Sequence, residues 1–275
     1  MVCNTDKGNE ITRSGKGEKF VSLLLNTKQQ HMPVLSYISL PTLHDGSYLQ
    51  HIPCLNKGLT LHLKSNVTFF VGENGSGKST LLEGIAEQCG FSLRGGSRNH
   101  NFNTGHRFEG YESPLAQYVK LGWSPRRIFD GFFMRAESFF NFASYIDELA
   151  LDDNRILRAY GGKSLLEQSH GESFLNLFNN QFENGVYILD EPEAALSPSR
   201  VLAFMSVINQ LEQNGRAQFL IATHSPILIC YPGAAIYQFD EGGIRETTYE
   251  ETEHFTLTKS FLNNPGAYLR HLLEG

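Results

Sequence analysis

A glycine-rich segment near residue 75 carries the residue types that bind nucleotide phosphates. The segment reads Gly72, Glu73, Asn74, Gly75, Ser76, Gly77, Lys78, Ser79 and Thr80. Glycines here let the backbone turn so tightly that successive N–H groups point at phosphate oxygens, and a helix beginning directly afterwards adds its positive end. Lys78 would reach the β- and γ-phosphates, and the Ser79 hydroxyl would bind Mg²⁺. A flexible loop is the alternative, but the apolar run before it and the helical pattern after it favour a phosphate-binding loop.

A second segment supplies two adjacent carboxylates. Residues 186–189 form an apolar run rich in β-branched and aromatic side chains, which is typical of a strand buried on both faces of a parallel sheet. Asp190 follows at the carboxyl end, where ligands bind in open α/β sheets, and it could hold Mg²⁺ through water. Glu191 is the candidate for orienting or deprotonating an attacking water. Alone, the pattern indicates a strand ending in an acidic turn; with the phosphate loop, it predicts nucleotide hydrolysis.

Two further segments extend this order of motifs. Ser169, Gly171 and Glu172 precede an amphipathic helical pattern, and the apolar run at 219–222 is followed by His224. The order of phosphate loop, serine-glycine signature, Asp-Glu pair and histidine resembles that of the ABC-type ATPases over residues 34–248. The resemblance implies an α/β fold, in which a phosphate-loop NTPase core with a mostly parallel sheet carries N-terminal antiparallel strands and a helical subdomain. It also implies that ATP and Mg²⁺ are the cofactors.

The resemblance gives the signature residues a role in a second copy of the chain. In the family this segment binds the γ-phosphate of ATP held by the opposite subunit, so Ser169, Gly171 and Glu172 would complete the partner's site. His170 replaces a family glycine between them. A serine hydroxyl and free N–H groups at a helix start do form an anion site. A plain helix N-cap would produce the same local pattern.

His224 resembles the family's switch histidine, which contacts the γ-phosphate and positions water. Ten histidines occur in the chain, and the position of His224 after an apolar strand distinguishes it from an ordinary surface histidine. Residues 194–197 resemble the family's dimer-contacting loop, with Ser197 in place of an aspartate. The resemblance therefore predicts Lys78, Glu191 and His224 as the catalytic residues.

No glutamine stands where the family offers one to Mg²⁺ and water. The strand-like segment 131–134 leads instead to Arg135 and Glu137. Glu137 could supply an oxygen ligand to the metal and Arg135 could meet phosphate, although either could be an ordinary salt-bridged residue. Tyr37 or Tyr48 could stack on adenine, although each could equally be a core or surface tyrosine.

Composition and charge bear on the class of protein. The formal charge of −6 does not support nucleic-acid binding, although it does not exclude a local basic groove. Four scattered cysteines form no paired metal motif, which fits a reducing cytoplasm. No apolar stretch approaches the roughly twenty residues that span a bilayer, so no membrane insertion is predicted. Residues 1–31 are polar and predict a disordered extension, followed by one ATPase domain at 32–275 with the helical subdomain at about 91–182.

A long coiled coil or an appended nuclease domain would need more residues than the chain offers. The resemblance is therefore to the compact, stand-alone ATPases of this class. We expect a soluble, cytoplasmic ATPase that forms a nucleotide-sandwich homodimer and drives or gates an unidentified partner protein, with DNA maintenance and phage defence among the open roles. The alternatives are the ATP-binding subunit of a membrane transporter and a slow nucleotide-dependent binding switch.

Overall fold

The computed structural model describes residues 32–44, 46–97, 112–125, 130–215 and 217–274. The predicted disordered extension, residues 1–31, lies outside them. The strands in these ranges are β1 (Leu35–Leu40), β2 (Leu59–His62), β3 (Val67–Gly72), β4 (Lys120–Trp123), β5 (Gly131–Arg135), β6 (Gly185–Asp190), β7 (Ala217–Ala222), β8 (Ala235–Asp240) and β9 (Gly243–Thr247). The helices are α1 (Pro53–Asn56), α2 (Lys78–Gln88), α3 (Phe139–Asp152), α4 (His170–Gln181), α5 (Pro198–Gln213), α6 (Glu253–Asn263) and α7 (Pro265–Glu274).

The central sheet has six strands in the order β5-β6-β7-β3-β8-β9. All neighbours are parallel except β8 and β9, which are antiparallel. Every residue of β3, β6 and β7 is buried, as expected of strands covered on both faces. A separate antiparallel sheet has the order β2-β1-β4. The predicted α/β fold, with a mostly parallel core sheet and N-terminal antiparallel strands, is confirmed.

Two apolar cores cover the two faces of the central sheet. Along β3, Phe69 and Val71 belong to the core that α3, α4 and α5 complete, whereas Phe70 belongs to the core shared with α2 and the small sheet. A buried amide joins the two sheets: Gln218 on β7 accepts the N–H of Leu35 at 2.7 Å and donates to its carbonyl at 2.9 Å. These two hydrogen bonds hold the small sheet against the central sheet.

The interval 91–182, predicted as a helical subdomain, also contributes strands to both sheets. β4 pairs with β1, and β5 returns the chain to the central sheet beside β6 before α3 and α4 begin. The C-terminal segment forms two helices, α6 and α7. α7 begins at Pro265 because the fixed φ of proline suits the first helical turn. No helix in the described ranges is long and apolar enough to cross a membrane.

Candidate active site

The carboxyl ends of four parallel strands bring the predicted site residues to one edge of the central sheet. β3 leads into the phosphate loop, β6 into Glu191 and β7 into His224. Arg135, the last residue of β5, pairs in register with Asp190, and Asp190 pairs with Ala222. Because neighbouring parallel strands end together, residues far apart in the sequence share one cleft.

Two glycines of the phosphate loop are required by the backbone. Gly72 has a φ of +147°, and a Cβ there would lie 2.4 Å from the carbonyl oxygen of Phe239. Gly77 has a φ of +99°, and its Cβ would lie 2.6 Å from Cγ2 of Ile52. The loop therefore passes so close to β8 and to the residue before α1 that larger side chains are excluded.

The phosphate loop holds polar groups that fit a phosphate. Lys78 begins α2 and is only 4% exposed. Its Nζ donates to the carbonyl oxygens of Gly72 at 2.7 Å and Glu73 at 2.8 Å, and burial lowers its pKa against the opposing charges of Glu191 and Asp190. The buried hydroxyl of Ser76 has no hydrogen-bond partner in the described part of the chain. No side chain caps the N-terminus of α2, so its first N–H groups remain available to an anion.

Ser79 and Asp190 lie side by side and fit a magnesium site. The Ser79 hydroxyl donates to Oδ1 of Asp190 at 3.1 Å, and Nε of Arg135 lies 3.3 Å from Oδ2. Burial raises the pKa of Asp190 to about 6, although Arg135 and the Ser79 hydroxyl oppose the change. Hydroxyl and carboxylate oxygens are ligands that Mg²⁺ prefers. Asp190 must be deprotonated to serve as one.

The structure does not bring Glu137 to the other two predicted metal ligands. Its side chain is 88% exposed and lies 3.9 Å from Nη2 of Arg135. β5 ends at Arg135, in register with Asp190, whereas Glu137 lies in the following 3₁₀ turn and faces solvent. Arg135 is held between Asp190 and Glu83, whose Oε1 lies 2.5 Å from Nη1. The residue from this segment that contacts Asp190, a predicted metal ligand, is therefore Arg135 and not Glu137.

Glu191 and His224, which the sequence predicts separately as catalytic residues, face each other. Glu191 has a φ of +52° and is the only non-glycine residue with positive φ among the described residues. Its N–H donates to the carbonyl of Ala222 at 2.9 Å, and its Oε1 lies 3.5 Å from Nε2 of His224. Backbone strain of this kind persists only where surroundings enforce it, and it clusters at active sites.

Two residues at this edge were missed by the sequence analysis. Oε1 of Glu193 accepts three hydrogen bonds, from the Thr223 hydroxyl at 2.6 Å and from the N–H groups of His224 at 2.7 Å and Ser225 at 3.1 Å. His254 places its Nε2 2.9 Å from Nδ1 of His224. Glu193 could have been found as the third carboxylate after the buried strand. His254 follows 30 residues after His224 and carries no local signal.

The signature residues form a capped helix start on the protein surface. Oε2 of Glu172 accepts the Ser169 hydroxyl at 2.7 Å and the Ser169 N–H at 3.3 Å. Nη1 of Arg200 donates to the Ser169 hydroxyl at 3.1 Å, and it would lie 2.4 Å from a Cβ on Gly171. The helix cap that the sequence left as an alternative is therefore present. Among the contacts of the described residues, none joins this cluster to the phosphate loop of the same chain.

The remaining predicted residues lie outside this network. Tyr37 packs in the small sheet, with its ring against Gly122 and 6.3 Å from the ring of His62. Tyr37 on β1 pairs with Gly122 on β4, and its ring covers this glycine. Tyr48 is 55% exposed in a 3₁₀ turn before α1, and its role with adenine stays a prediction. Ser197 is exposed and lies near Ser199, with 3.2 Å between the hydroxyl oxygens.

Comparisons with known proteins agree with this geometry. Residues 47–139 match a family model described as "AAA domain", and residues 163–229 match one described as "AAA domain, putative AbiEii toxin, Type IV TA system". The first matched segment contains the phosphate loop and the second contains Asp190 and Glu191, so the family models and the site geometry both indicate a similarity to AAA-type phosphate-loop domains.

Two solved structures illustrate the similarity of the fold. One is CbiO1 from Clostridium perfringens, part of the ABC transporter complex CbiONQ, with 18% identity, 88% of this chain and 100% of that chain covered, and a TM-score of 0.45. The other is the SMC head domain from Thermotoga maritima, with 15% identity, 78% and 98% covered, and a TM-score of 0.42. No curated protein sequence matches the chain significantly.

Proposed function

We propose that the protein binds ATP with Mg²⁺ and hydrolyses it to ADP and phosphate. The observation that carries this proposal is the meeting of two pairs at one sheet edge. Ser79 is hydrogen-bonded to Asp190, and Glu191 faces His224. The first pair suits a metal bound to phosphates, and the second suits activation of water beside it.

Each side chain has a distinct task in this reaction. Lys78 would exchange the carbonyls of Gly72 and Glu73 for phosphate oxygens and stabilise the charge that develops on them. Glu191 would accept the proton of the attacking water, and His224 would donate from Nε2 to a γ-phosphate oxygen. Ser79 and Asp190 would hold Mg²⁺, which supplies charge neutralisation when bound.

The ATPase cycle is proposed to run in a homodimer that sandwiches two nucleotides. The exposed signature cluster supports this arrangement, because Ser169 and Arg200 lie at the start of α4 and, among the described residues, make no hydrogen bond to the phosphate loop. A second copy would bring its bound nucleotide to this helix start. ATP then favours the closed dimer because it binds that state better, and hydrolysis reopens it.

A partner protein is proposed to sense this closure. The family model matched by residues 163–229 is described as a putative toxin of a type IV TA system. That description names a toxin system and no transporter, so it favours a setting other than a transporter subunit. DNA maintenance and phage defence remain the proposed settings, and a slow nucleotide-dependent switch is the second candidate.

The proposal is tested with Glu191→Gln and Lys78→Ala. Glu191→Gln removes the base while keeping the side-chain volume, so we expect ATP binding to persist, kcat to fall by about 100-fold or more, and a dimer to accumulate. Lys78→Ala should lose nucleotide affinity and remain monomeric with ATP. Light scattering after gel filtration, with and without Mg-ATP, measures the mass. Wild-type hydrolysis by Glu191→Gln would contradict the base assignment, and an unchanged mass with bound ATP would contradict ATP-driven pairing.

A further inference from the structure

His224 is hydrogen-bonded to a second histidine, which comes from a different element. His254 is the second residue of α6, and its Nε2 lies 2.9 Å from Nδ1 of His224. The ring centroids are 5.0 Å apart and the planes are tilted by 58°. Such a tilted arrangement suits a bond between two ring nitrogens better than it suits stacking of the rings.

The start of α6 is anchored, so His254 is held in place by packing. Thr252 is 1% exposed and caps the helix, with its hydroxyl accepting the N–H of Phe255 and donating to the carbonyl of Tyr249 at 2.7 Å. The rings of Phe255 and Tyr249 meet edge to face, with 5.0 Å between their centroids. His254 is therefore presented to His224 by a capped and packed helix end.

The two histidines share a single proton in their mutual hydrogen bond. Burial lowers the pKa of both His224 and His254, and the nearby charge of Lys78 lowers each further. Glu191, Glu73 and Glu253 oppose these changes. At neutral pH both imidazoles are therefore neutral, and each has one N–H and one acceptor nitrogen. Either His224 donates from Nδ1, or His254 donates from Nε2.

The surroundings distinguish these two arrangements. Nε2 of His224 and Nδ1 of His254 are buried and have no hydrogen-bond partner among the described residues. If His224 donated, its Nε2 lone pair would face the Glu191 carboxylate at 3.5 Å, and a buried N–H on His254 would be unpaired. If His254 donates, the Nε2–H of His224 points at that carboxylate and only an acceptor stays unpaired. The second arrangement avoids both penalties.

We infer that His254 is a positioning residue for His224, because donation from its Nε2–H keeps the His224 proton on the nitrogen that faces the active site. The inference rests on the proposed function, in which that N–H meets a γ-phosphate oxygen. A lone pair at the same position would repel both phosphate and Glu191. In other enzymes a carboxylate can hold a catalytic histidine in one tautomer by accepting its N–H. Here the orienting group is a neutral imidazole, which donates an N–H instead.

Nitrogen chemical shifts test the tautomer without any catalysis. In full-length protein labelled with ¹⁵N-histidine, we expect His224 to show a protonated Nε2 and an unprotonated Nδ1 at pH 7, with its signals assigned by their loss in His224→Gln. In His254→Leu the two forms should mix. A wild-type His224 protonated on Nδ1 would overturn the inference, whatever the variants do.

Steady-state kinetics test the consequence for hydrolysis. His254→Leu should lower kcat by about tenfold or more, the lower range for losing a group that orients a histidine, with KM within about twofold. His254→Gln should recover part of this loss, because its amide N–H can replace the Nε2 donor. His271→Leu, the same change at an exposed histidine of α7, is the matched control. Wild-type kcat in His254→Leu would overturn the inference.

A double variant separates this inference from the proposed function. In a His224→Ala background, His254→Leu should cause no further loss of kcat, because the residue that it orients is gone. A further tenfold loss would show that His254 acts independently and would overturn the inference. If the wild-type protein bound ATP without turning it over, the proposed function would fail, and the nitrogen shifts would still decide the tautomer.

Discussion

At the scale of single residues, two adjacent carboxylates occupy different environments. Asp190 is 4% exposed and touches Ser79 and Arg135. Glu191 is half-buried, adopts a left-handed backbone conformation and faces His224. In a regular strand, the side chains of Asp190 and Glu191 would point to opposite faces of the sheet. Because Glu191 has a positive φ, its side chain does not follow this alternation. These environments suit Asp190 to binding a metal ion and Glu191 to acting as a base.

Asp190 makes the stability of the metal-free protein depend on pH. Its pKa is about 6 in the folded state against an ordinary 3.8, so the folded state keeps a proton that the unfolded state releases. Stability should therefore fall as pH rises from about 4 to about 6, by about 3 kcal/mol. Asp190→Asn removes this contribution and should flatten that part of the profile. Urea unfolding of both proteins in EDTA at several pH values measures it. Parallel profiles would contradict the expectation.

At the scale of elements, the small sheet depends on a buried amide from the central sheet. Gln218 is fully buried and satisfies both backbone groups of Leu35. This pairing joins the start of β1 to β7, whose carboxyl end leads to His224. A polar residue in an otherwise apolar strand thus joins two layers, and apolar packing alone would not set their register.

Gln218→Leu should destabilise the protein by about 2 kcal/mol or more. The substitution keeps the side-chain size but leaves a buried N–H and a buried carbonyl of Leu35 without partners, each costing about 1–3 kcal/mol. Gln213→Leu at the exposed end of α5 is the matched control and should change little. Chemical denaturation compares the free energies of unfolding. Equal stabilities for the two variants would show that the β1 groups find other partners.

At the scale of the whole molecule, the phosphate loop and the signature cluster form separate surfaces of one chain. Lys78 and Ser79 lie at the carboxyl edge of the sheet, while Ser169 caps α4 and is bound to Arg200. If the proposed dimer forms by a two-fold axis, each complete site takes one surface from each copy. A substitution in the phosphate loop then affects one subunit's contribution to a site, and a substitution in the signature cluster affects the other subunit's contribution.

Mixing two inactive variants should restore activity under this arrangement. Lys78→Ala inactivates the phosphate loop, and Ser169→Glu places a negative charge where phosphate would bind. Neither variant should pair with itself, whereas a mixed dimer has one intact site of two, so the mixture should recover activity up to about half of the wild-type rate. Steady-state ATPase assays at equal total protein measure this rate. No recovery, with mixed dimers present by native mass spectrometry, would contradict shared sites.

Much of the fold, and most of the residues of the candidate phosphate site, could be predicted from the sequence for local reasons. The apolar runs at 186–189 and 219–222 predict strands buried on both faces, and β6 and β7 are such strands. The glycine spacing predicts the loop whose positive φ values at Gly75 and Gly77 the structure has. Asp190 is the last residue of β6 and His224 comes shortly after the end of β7, so parallel pairing brings both near the loop.

Only the tertiary structure decided which side chains complete the site. Arg135 rather than Glu137 contacts Asp190 because the register of β5 against β6 selects one of two nearby polar residues. His254 reaches His224 because the start of α6 lies beside the segment that follows β7. Periodicity and motif spacing report a residue's own element, whereas the register between strands and the docking of a distant helix depend on contacts between elements that no local pattern encodes.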